Sequence, residues 1–149
     1  RRMTIEDRLA RLEAKDEIRE LRANYCYHVD DADGEAFASL FAAEAVLDFG
    51  DAGVYRGHEE LREFVESVVP DHYAFIVHMV HNPVLEVDGD TATGRWYFEA
   101  PATTTGGSDV WIQGRYDDEY ARVGGEWLFA SVEARFNYVA DYDVGWGGD

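Results

Sequence analysis

From residue 74 onward the hydrophobic spacing of this chain changes from one that is mainly helical to that of strands. Before this point apolar residues recur every three or four positions, and after it they alternate with polar ones. The predicted helices are residues 4–33, 35–41 and 58–68, and the predicted long strands are residues 74–87, 91–100, 109–122 and 126–139. Glycine stands in each of the three turns between the long strands, as tight hairpins require. Helices followed by an antiparallel meander predict an α+β fold.

Three finer predictions concern the first half of the chain. The apolar stripe of the first helix slips at Ala14 and Lys15, so we expect a helix that is broken in the middle. Pro70 should end the third helix, because its ring clashes with the preceding turn and it has no N–H to donate. Residues 45–49 and 54–56 are predicted to form short strands between the second and third helices.

Alternation divides the residues of the long strands between two faces of the sheet. One face is apolar and is expected to lie under the helices; it includes Gly94, Trp96, Phe98, Ala100, Leu128, Ala130, Val132, Ala134 and Phe136. The other face mixes aromatic side chains with charges of both signs, as in Trp111, Arg115, Asp117, Trp127, Phe129 and Arg135. We expect this outer face to join the copies of a homodimer or homotrimer, with an exposed face of ordinary cross-strand pairs as the alternative.

The apolar content is enough for one domain with a core and a cavity. Hydrophobic residues make up 46% and aromatic residues 14% of the 149 positions, which excludes a disordered chain. The sequence shows no repeat, linker or change of composition that would divide it. We therefore expect a single domain over residues 1–149, with residues 1–3 as an added or disordered start and residues 140–149 as a tail.

The net charge of −18 excludes several classes of partner. Phosphate backbones and anionic bilayers are bound through clustered Lys and Arg, so we expect neither a nucleic acid nor a membrane. No apolar run approaches the ~20 residues of a membrane helix, and the charged N-terminal segment does not match a secretory signal. Because Cys26 is the only cysteine, no internal disulfide can form, and a reducing cytoplasm is the expected location.

Two polar clusters stand inside otherwise apolar segments. One is residues 25–31, at the end of the first helix, and the other is residues 78–82, inside a predicted strand. An imidazole in an apolar strand needs a polar partner, which a carboxylate at the helix end, Asp30 or Asp31, could supply. A histidine held by an aspartate is a general base with its orienting group. The alternatives are a structural interior histidine and an aspartate that only ends the helix before Gly34.

A metal site is the competing interpretation of the same clusters. His78, His81, Asp30 and Asp31 together would offer two imidazoles and a carboxylate. Histidines three positions apart on a regular strand point to opposite faces, however, and cannot hold one ion without a bulge. The chain also lacks glycine-rich nucleotide or phosphate loops, a serine nucleophile elbow and a cysteine pair. We therefore expect neither a metal nor a cofactor.

Several of these residues belong to stretches that match a known family. The stretches are YCYHVD at residues 25–30, HMVHNP at residues 78–83, TATGRWY at residues 91–97, and Asp118 to Tyr120 with Trp127, Asn137 and Tyr138. From about residue 5 to residue 138 the chain resembles the SnoaL-like branch of the nuclear-transport-factor-two-like superfamily, which includes scytalone dehydratase, a bile-acid dehydratase and hexachlorocyclohexane dehydrochlorinase. The resemblance implies a cone-shaped α+β barrel, in which three N-terminal helices wrap a curved, mostly antiparallel sheet around an apolar pocket.

The resemblance also implies the residues of the site. A catalytic His–Asp dyad falls on His78 and Asp30, and a pocket tyrosine falls on Tyr25. On an ideal helix Tyr25 and Asp30 would point about 140° apart, so Tyr27 is the alternative tyrosine.

The pocket is expected to be more apolar than in those relatives. Ala100 stands where the bile-acid enzyme carries an acidic residue, and Val132 or Phe136 stands where relatives carry arginines. Arg135 has the wrong strand parity to replace them without a bulge. The expected pocket residues are Phe49, Trp96, Phe98, Ile112, Val132 and Phe136.

The function predicted from the sequence is that of a cofactor-independent lyase, a dehydratase of a small, apolar, hydroxylated cyclic or polycyclic carbonyl compound. His78 would remove the proton beside the carbonyl, Asp30 would orient the imidazole, and Tyr25 would donate to the oxygen that gains charge. The alternatives are a ketosteroid-isomerase-like isomerase, a polyketide-cyclase-like enzyme and a non-catalytic ligand-binding module. A cavity with the histidine and aspartate within hydrogen-bond distance would favour the enzyme.

Overall fold

Helices come first and long strands last, as the spacing predicts. The computed structural model describes residues 2–147, so residue 1 and residues 148–149 of the expected terminal segments lie outside the described residues. The described helices are α1 (Ile5–Asp30), α2 (Gly34–Ser39), α3 (Gly57–Glu63) and α4 (Val69–His72). The described strands are β1 (Phe41–Asp48), β2 (Val54–Arg56), β3 (Tyr73–Ile76), β4 (Met79–Asp88), β5 (Thr91–Glu99), β6 (Ala102–Thr104), β7 (Asp109–Val123) and β8 (Glu126–Asp141). None of these helices has the length and apolar composition needed to cross a bilayer.

The strands form one curved, mixed sheet whose inner face is covered by the helices. The strand order is β2-β1-β8-β7-β5-β4, and β3 joins the sheet through β6, which also pairs with β7. Strands β1 and β8 run parallel, and the other described pairings are antiparallel. The core between helices and sheet includes the fully buried Ile18, Phe37, Leu61 and Phe129. The predicted α+β cone with a mostly antiparallel sheet is confirmed, as an open cone rather than a closed barrel.

Helix α1 begins at a capping box and runs unbroken for 26 residues. The Thr4 hydroxyl accepts from the Asp7 N–H, and the Asp7 carboxylate accepts from the Thr4 N–H, so two otherwise unpaired donors are satisfied. The expected break at Ala14 is wrong. The apolar stripe changes there because Ile5 and Leu9 in the first half of the helix are largely exposed, and burial begins only at Ala14.

The third helical segment passes through Pro70 instead of ending there. Helix α3 leads into a π-helical turn, Phe64–Val68, and α4 follows directly. Pro70 lies in the first turn of α4, where a missing N–H is tolerated, and the preceding turn has already left α-helical hydrogen bonding. The expected end of this helix at Pro70 is therefore wrong.

The strand predicted over residues 74–87 is two strands. Strand β3 pairs with β6, whereas β4 pairs with β5, so the chain changes its partner at Val77 and His78. Apolar residues continue through this connection, and for that reason alternation alone could not show it. His78 lies between two strands rather than inside one.

A bulge in β8 exchanges the two faces of that strand. Ala130 has no partner residue on β7, because the register shifts beside it. A single extra residue places the side chains on either side of it on opposite faces. Trp127 and Phe129 are buried, so the prediction that they face outward, with Leu128 and Ala130 inward, is wrong.

The core contains an ion pair that was not predicted from the sequence. Arg22 Nε donates to Asp118 Oδ2 at 3.0 Å, and both side chains are fully buried. The Tyr120 hydroxyl donates to the same carboxylate at 2.6 Å and accepts from the Trp96 indole N–H at 3.0 Å. Burial raises the pKa of Asp118, and the positive charge of Arg22 opposes that rise. This network ties α1 to β5 and β7.

Candidate active site

Asp30 and His78 meet where α1 ends and where the chain passes from β3 to β4. Asp30 is the last residue of α1, and His78 directly precedes the first residue of β4. Packing of α1 against β4 brings together these two positions, which are 48 residues apart in sequence. Because the strand is interrupted at His78, its backbone N–H can bond to a side chain instead of a neighbouring strand.

Three hydrogen bonds join the two residues. The ring Nδ1 of His78 lies 2.7 Å from Asp30 Oδ1, and the His78 backbone N–H donates to both carboxylate oxygens, at 3.1 Å and 3.0 Å. A carboxylate can only accept, so Nδ1 carries a proton, and in the neutral ring the lone pair of Nε2 is left for another molecule. This is the arrangement of a general base with an orienting carboxylate.

His78 lines a cavity of about 270 Å³. The lining comes mainly from the π-helical turn, α4 and strands β2, β3, β7 and β8. Besides His78, the polar side chains in the lining are Tyr55, His72 and Tyr73. The larger apolar side chains in the lining are Phe49, Phe64, Val68, Val69, Ile76, Ile112 and Phe136. Among the described residues no Asp, Glu, Lys or Arg lines this cavity.

Three of the six expected pocket residues line this cavity, namely Phe49, Ile112 and Phe136. Phe98 is buried and packs against one lining residue, with its ring centroid 5.9 Å from that of Phe136. Trp96 and Val132 are buried and lie outside the lining. The Trp96 indole belongs instead to the hydrogen-bond network around Asp118.

The polar lining residues Tyr55, His72 and Tyr73 were not predicted from the sequence. The last two follow Pro70, where the helix was expected to end, so no element was predicted to place them. Tyr55 carried a usable signal, since it alternates with Val54 and Arg56 in a predicted strand and must therefore face away from them.

Tyr25 lies in the aromatic core and not at the cavity. Its side chain is 1% exposed, and its ring centroid lies 5.6 Å from that of Tyr116. Burial raises the pKa of Tyr25 to about 12. The alternative tyrosine, Tyr27, is 67% exposed. The structure places neither tyrosine among the residues that line the cavity.

A second histidine–carboxylate pair lies three residues further along the chain. His81 Nε2 is 2.7 Å from Glu99 Oε1, and both side chains are 44% exposed, outside the cavity lining. His78 and His81 thus take different carboxylates. Within residues 2–147, no three His, Cys, Asp or Glu side chains cluster closely enough to hold a metal ion.

Comparisons with known proteins agree with this fold. The family model of the SnoaL-like domain matches residues 10–133. Among solved structures, the hexachlorocyclohexane dehydrochlorinase LinA-type3 from Novosphingobium barchaimii LL02 is 27% identical, with a TM-score of 0.84 over 89% of this chain and 92% of that chain. A Mycobacterium tuberculosis protein of unknown function is 29% identical, with a TM-score of 0.77 over 86% of this chain and 74% of that chain.

A more distant structure shares only the architecture. A nuclear transport factor 2-like superfamily protein from Salmonella enterica is 20% identical, with a TM-score of 0.76 over 89% of this chain and 96% of that chain. At this identity the likeness shows the fold alone.

Proposed function

The chain belongs to the SnoaL-like domain family, and from that premise we propose that it is a cofactor-independent lyase in which Asp30 orients His78 as the general base. The observation that carries this proposal is the 2.7 Å contact between Nδ1 of His78 and Oδ1 of Asp30, beside an apolar cavity that His78 lines. The structural neighbour that is 27% identical is named for an elimination reaction, dehydrochlorination, and this supports the reaction class.

The proposed reaction begins with removal of a proton by Nε2 of His78 from the carbon beside a carbonyl group. Asp30 keeps the other ring proton on Nδ1 and stabilises the imidazolium that forms. The electron pair of the broken C–H bond moves toward the carbonyl oxygen and gives an enolate. When that pair returns, it expels a hydroxyl group from the next carbon. The imidazolium gives its proton to the leaving hydroxyl, so the products are an unsaturated carbonyl compound and water, and His78 is regenerated.

The cavity indicates a compact, neutral and apolar substrate. Its volume of about 270 Å³ is slightly below the usual range for small-molecule sites, which favours one or two rings over a larger polycyclic compound. A charged substrate would lose its hydration without gaining an ionic partner, because the described lining contains no Asp, Glu, Lys or Arg. We therefore propose a hydroxylated cyclic ketone.

Product analysis tests this proposal. The protein is incubated with a panel of one- and two-ring β-hydroxy ketones, and the products are identified by mass spectrometry. Loss of one water molecule from a panel member, absent in His78→Ala, supports a dehydratase. Exchange of the protons beside the carbonyl for deuterium in D₂O, without loss of water, would favour an isomerase or cyclase instead, since these begin with the same proton abstraction. Binding of panel members without any turnover would identify a ligand-binding module.

We also propose that the outer sheet face joins two or three copies of the chain. Arg135 bonds to Asp117 at 2.8 Å, and Arg115 bonds to the same carboxylate at 3.3 Å. These pairs neutralise charge on β7 and β8, which allows another copy of an acidic protein to approach. Light scattering should show a dimer or trimer that Arg135→Glu dissociates, and a monomer at micromolar concentration would contradict the proposal.

A further inference from the structure

The proposed elimination needs a hydrogen-bond donor for the carbonyl oxygen, because negative charge develops there inside an apolar cavity. The tyrosines expected from the sequence do not line the cavity, whereas Tyr55, His72 and Tyr73 do. His72 is exposed, and its Nδ1 already bonds to the Val68 carbonyl oxygen at 2.8 Å. The candidates for the donor are therefore the hydroxyls of Tyr55 and Tyr73.

Tyr55 is held in place on three sides. Its ring centroid lies 4.7 Å from that of Phe64 and 6.3 Å from that of Phe49, and both phenylalanines line the cavity. The Tyr55 hydroxyl lies over Gly53, where an added Cβ would approach it to 2.8 Å. The missing side chain of Gly53 thus leaves the space that this hydroxyl occupies.

Tyr73 has fewer aromatic neighbours than Tyr55. Among the described residues its only ring neighbour is His72, at 6.4 Å between centroids. A donor that must meet a developing charge works best when its position is fixed before the reaction. The packing therefore favours Tyr55.

The Tyr55 hydroxyl has no hydrogen-bond partner within residues 2–147. This hydroxyl is not among the buried unpaired polar atoms, so it is accessible and can donate to a ligand in the cavity. Burial raises the pKa of Tyr55, and the nearby negative charge of Glu63 raises it further. The hydroxyl consequently stays protonated at neutral pH and can act as a donor.

We propose that Tyr55 is a catalytic residue that donates a hydrogen bond to the carbonyl oxygen of the substrate, an assignment that rests on the proposed function. As His78 removes the neighbouring proton, the C–H electron pair moves toward the carbonyl oxygen, and the Tyr55 hydroxyl stabilises the charge there without giving up its own proton. The electron pair then returns, and the hydroxyl group of the substrate leaves with the proton that His78 held.

Binding of 2-naphthol tests the assignment without turnover, because its oxygen on a flat ring system imitates the enolate. Naphthalene, which has the same rings and no oxygen, is the matched ligand. We expect Tyr55→Phe to weaken binding of 2-naphthol about tenfold and to leave naphthalene binding unchanged, as measured by fluorescence titration of the full chain. Tyr27→Phe, on the exposed side of α1, should bind both compounds as the wild type does, and thermal melting checks that each variant is folded.

Unchanged 2-naphthol affinity in Tyr55→Phe overturns the assignment. A loss of 2-naphthol affinity in Tyr73→Phe alone also overturns it, as does failure of the wild type to bind either compound. In the dehydration assay Tyr55→Phe should lower kcat about 10²–10³-fold with little change in KM. Full activity in Tyr55→Phe and none in His78→Ala would reject only the role of Tyr55. Full activity in His78→Ala would reject the proposed function itself.

Discussion

The Asp30 carboxylate holds His78 by both its backbone and its ring, accepting from the N–H at 3.0 Å and 3.1 Å and from Nδ1 at 2.7 Å. One side chain thus performs two tasks. It replaces the strand partner that the His78 N–H lacks between β3 and β4, and it decides which ring nitrogen carries the proton. The first task needs only an acceptor oxygen, whereas the second needs a group that accepts and never donates.

Asp30→Asn separates these two tasks. The amide oxygen can still accept from the His78 N–H, but the amide no longer forces the ring proton onto Nδ1. We expect kcat to fall about 10²–10⁴-fold with little change in Tm. Asp30→Ala should lose activity to the same extent and also about 1–3 kcal/mol of stability, because the N–H is left unpaired. Steady-state kinetics and thermal melting of both variants check this, and normal kcat in a folded Asp30→Asn would contradict it.

Asp118→Asn should lower the free energy of unfolding by about 3–5 kcal/mol, because it leaves the buried Arg22 guanidinium without a countercharge. The control is Arg62→Ala, which breaks an exposed pair with Glu35 at 3.0 Å and should change stability by less than about 1 kcal/mol. Urea unfolding measures both. Similar small losses in the two variants would mean that the Arg22–Asp118 pair is not buried.

Gly114→Ala should destabilise the junction of β5, β7 and β8. A Cβ at Gly114 would collide with the Arg135 carbonyl oxygen and come within 2.7 Å of the Phe98 ring, which predicts a loss of about 1–3 kcal/mol. At Gly106 the nearest such atom is 3.7 Å away, so Gly106→Ala should stay within about 0.5 kcal/mol of the wild type. Thermal unfolding of the two variants makes the comparison, and equal Tm values would contradict this packing.

Alkaline pH should lower the free energy of unfolding through ionisation of Tyr25. Burial raises its pKa from 10.0 to about 12 in the folded protein, so the unfolded chain gives up this proton first as the pH rises. The stability that Tyr25 contributes is therefore complete below pH 10 and is lost between about pH 10 and pH 12, by about 3 kcal/mol. Urea unfolding should show a shallower alkaline decline in Tyr25→Phe, which has no such proton, and identical slopes would refute the prediction.

Sequence patterns that act over short distances predicted much of this fold. The inner and outer residues of β7 follow alternation, with Ile112 buried and Arg115 only partly so, because neighbouring residues of an unbroken strand must face opposite ways. The family resemblance indicated His78 and Asp30 as partners, and both belong to polar clusters inside apolar segments. The structure brings these two side chains together.

Features that depend on pairing between distant segments could not be predicted in this way. The bulge at Ala130 is one residue without a partner, and nothing in the local composition marks it. The break at His78 depends on β3 and β4 choosing different neighbours. Arg22 is buried only because Asp118 meets it from β7, whereas an arginine on a helix is ordinarily exposed. The bulge at Ala130 explains why Trp127 and Phe129 were assigned to the wrong face of the sheet.

Exchange of carbon-bound protons for deuterium tests the role of His78 most directly, because it detects proton abstraction whether or not elimination follows. Cyclohexanone and 1-indanone are incubated with the protein in D₂O, and loss of the signal from the protons beside the carbonyl is followed by NMR. The matched control is His81→Ala, which removes a histidine held by a carboxylate at the same 2.7 Å but outside the cavity. The wild type and His81→Ala should exchange at equal rates, and His78→Ala at least about 100-fold more slowly. Exchange that persists in His78→Ala, or that the wild type does not catalyse, would contradict the central claim.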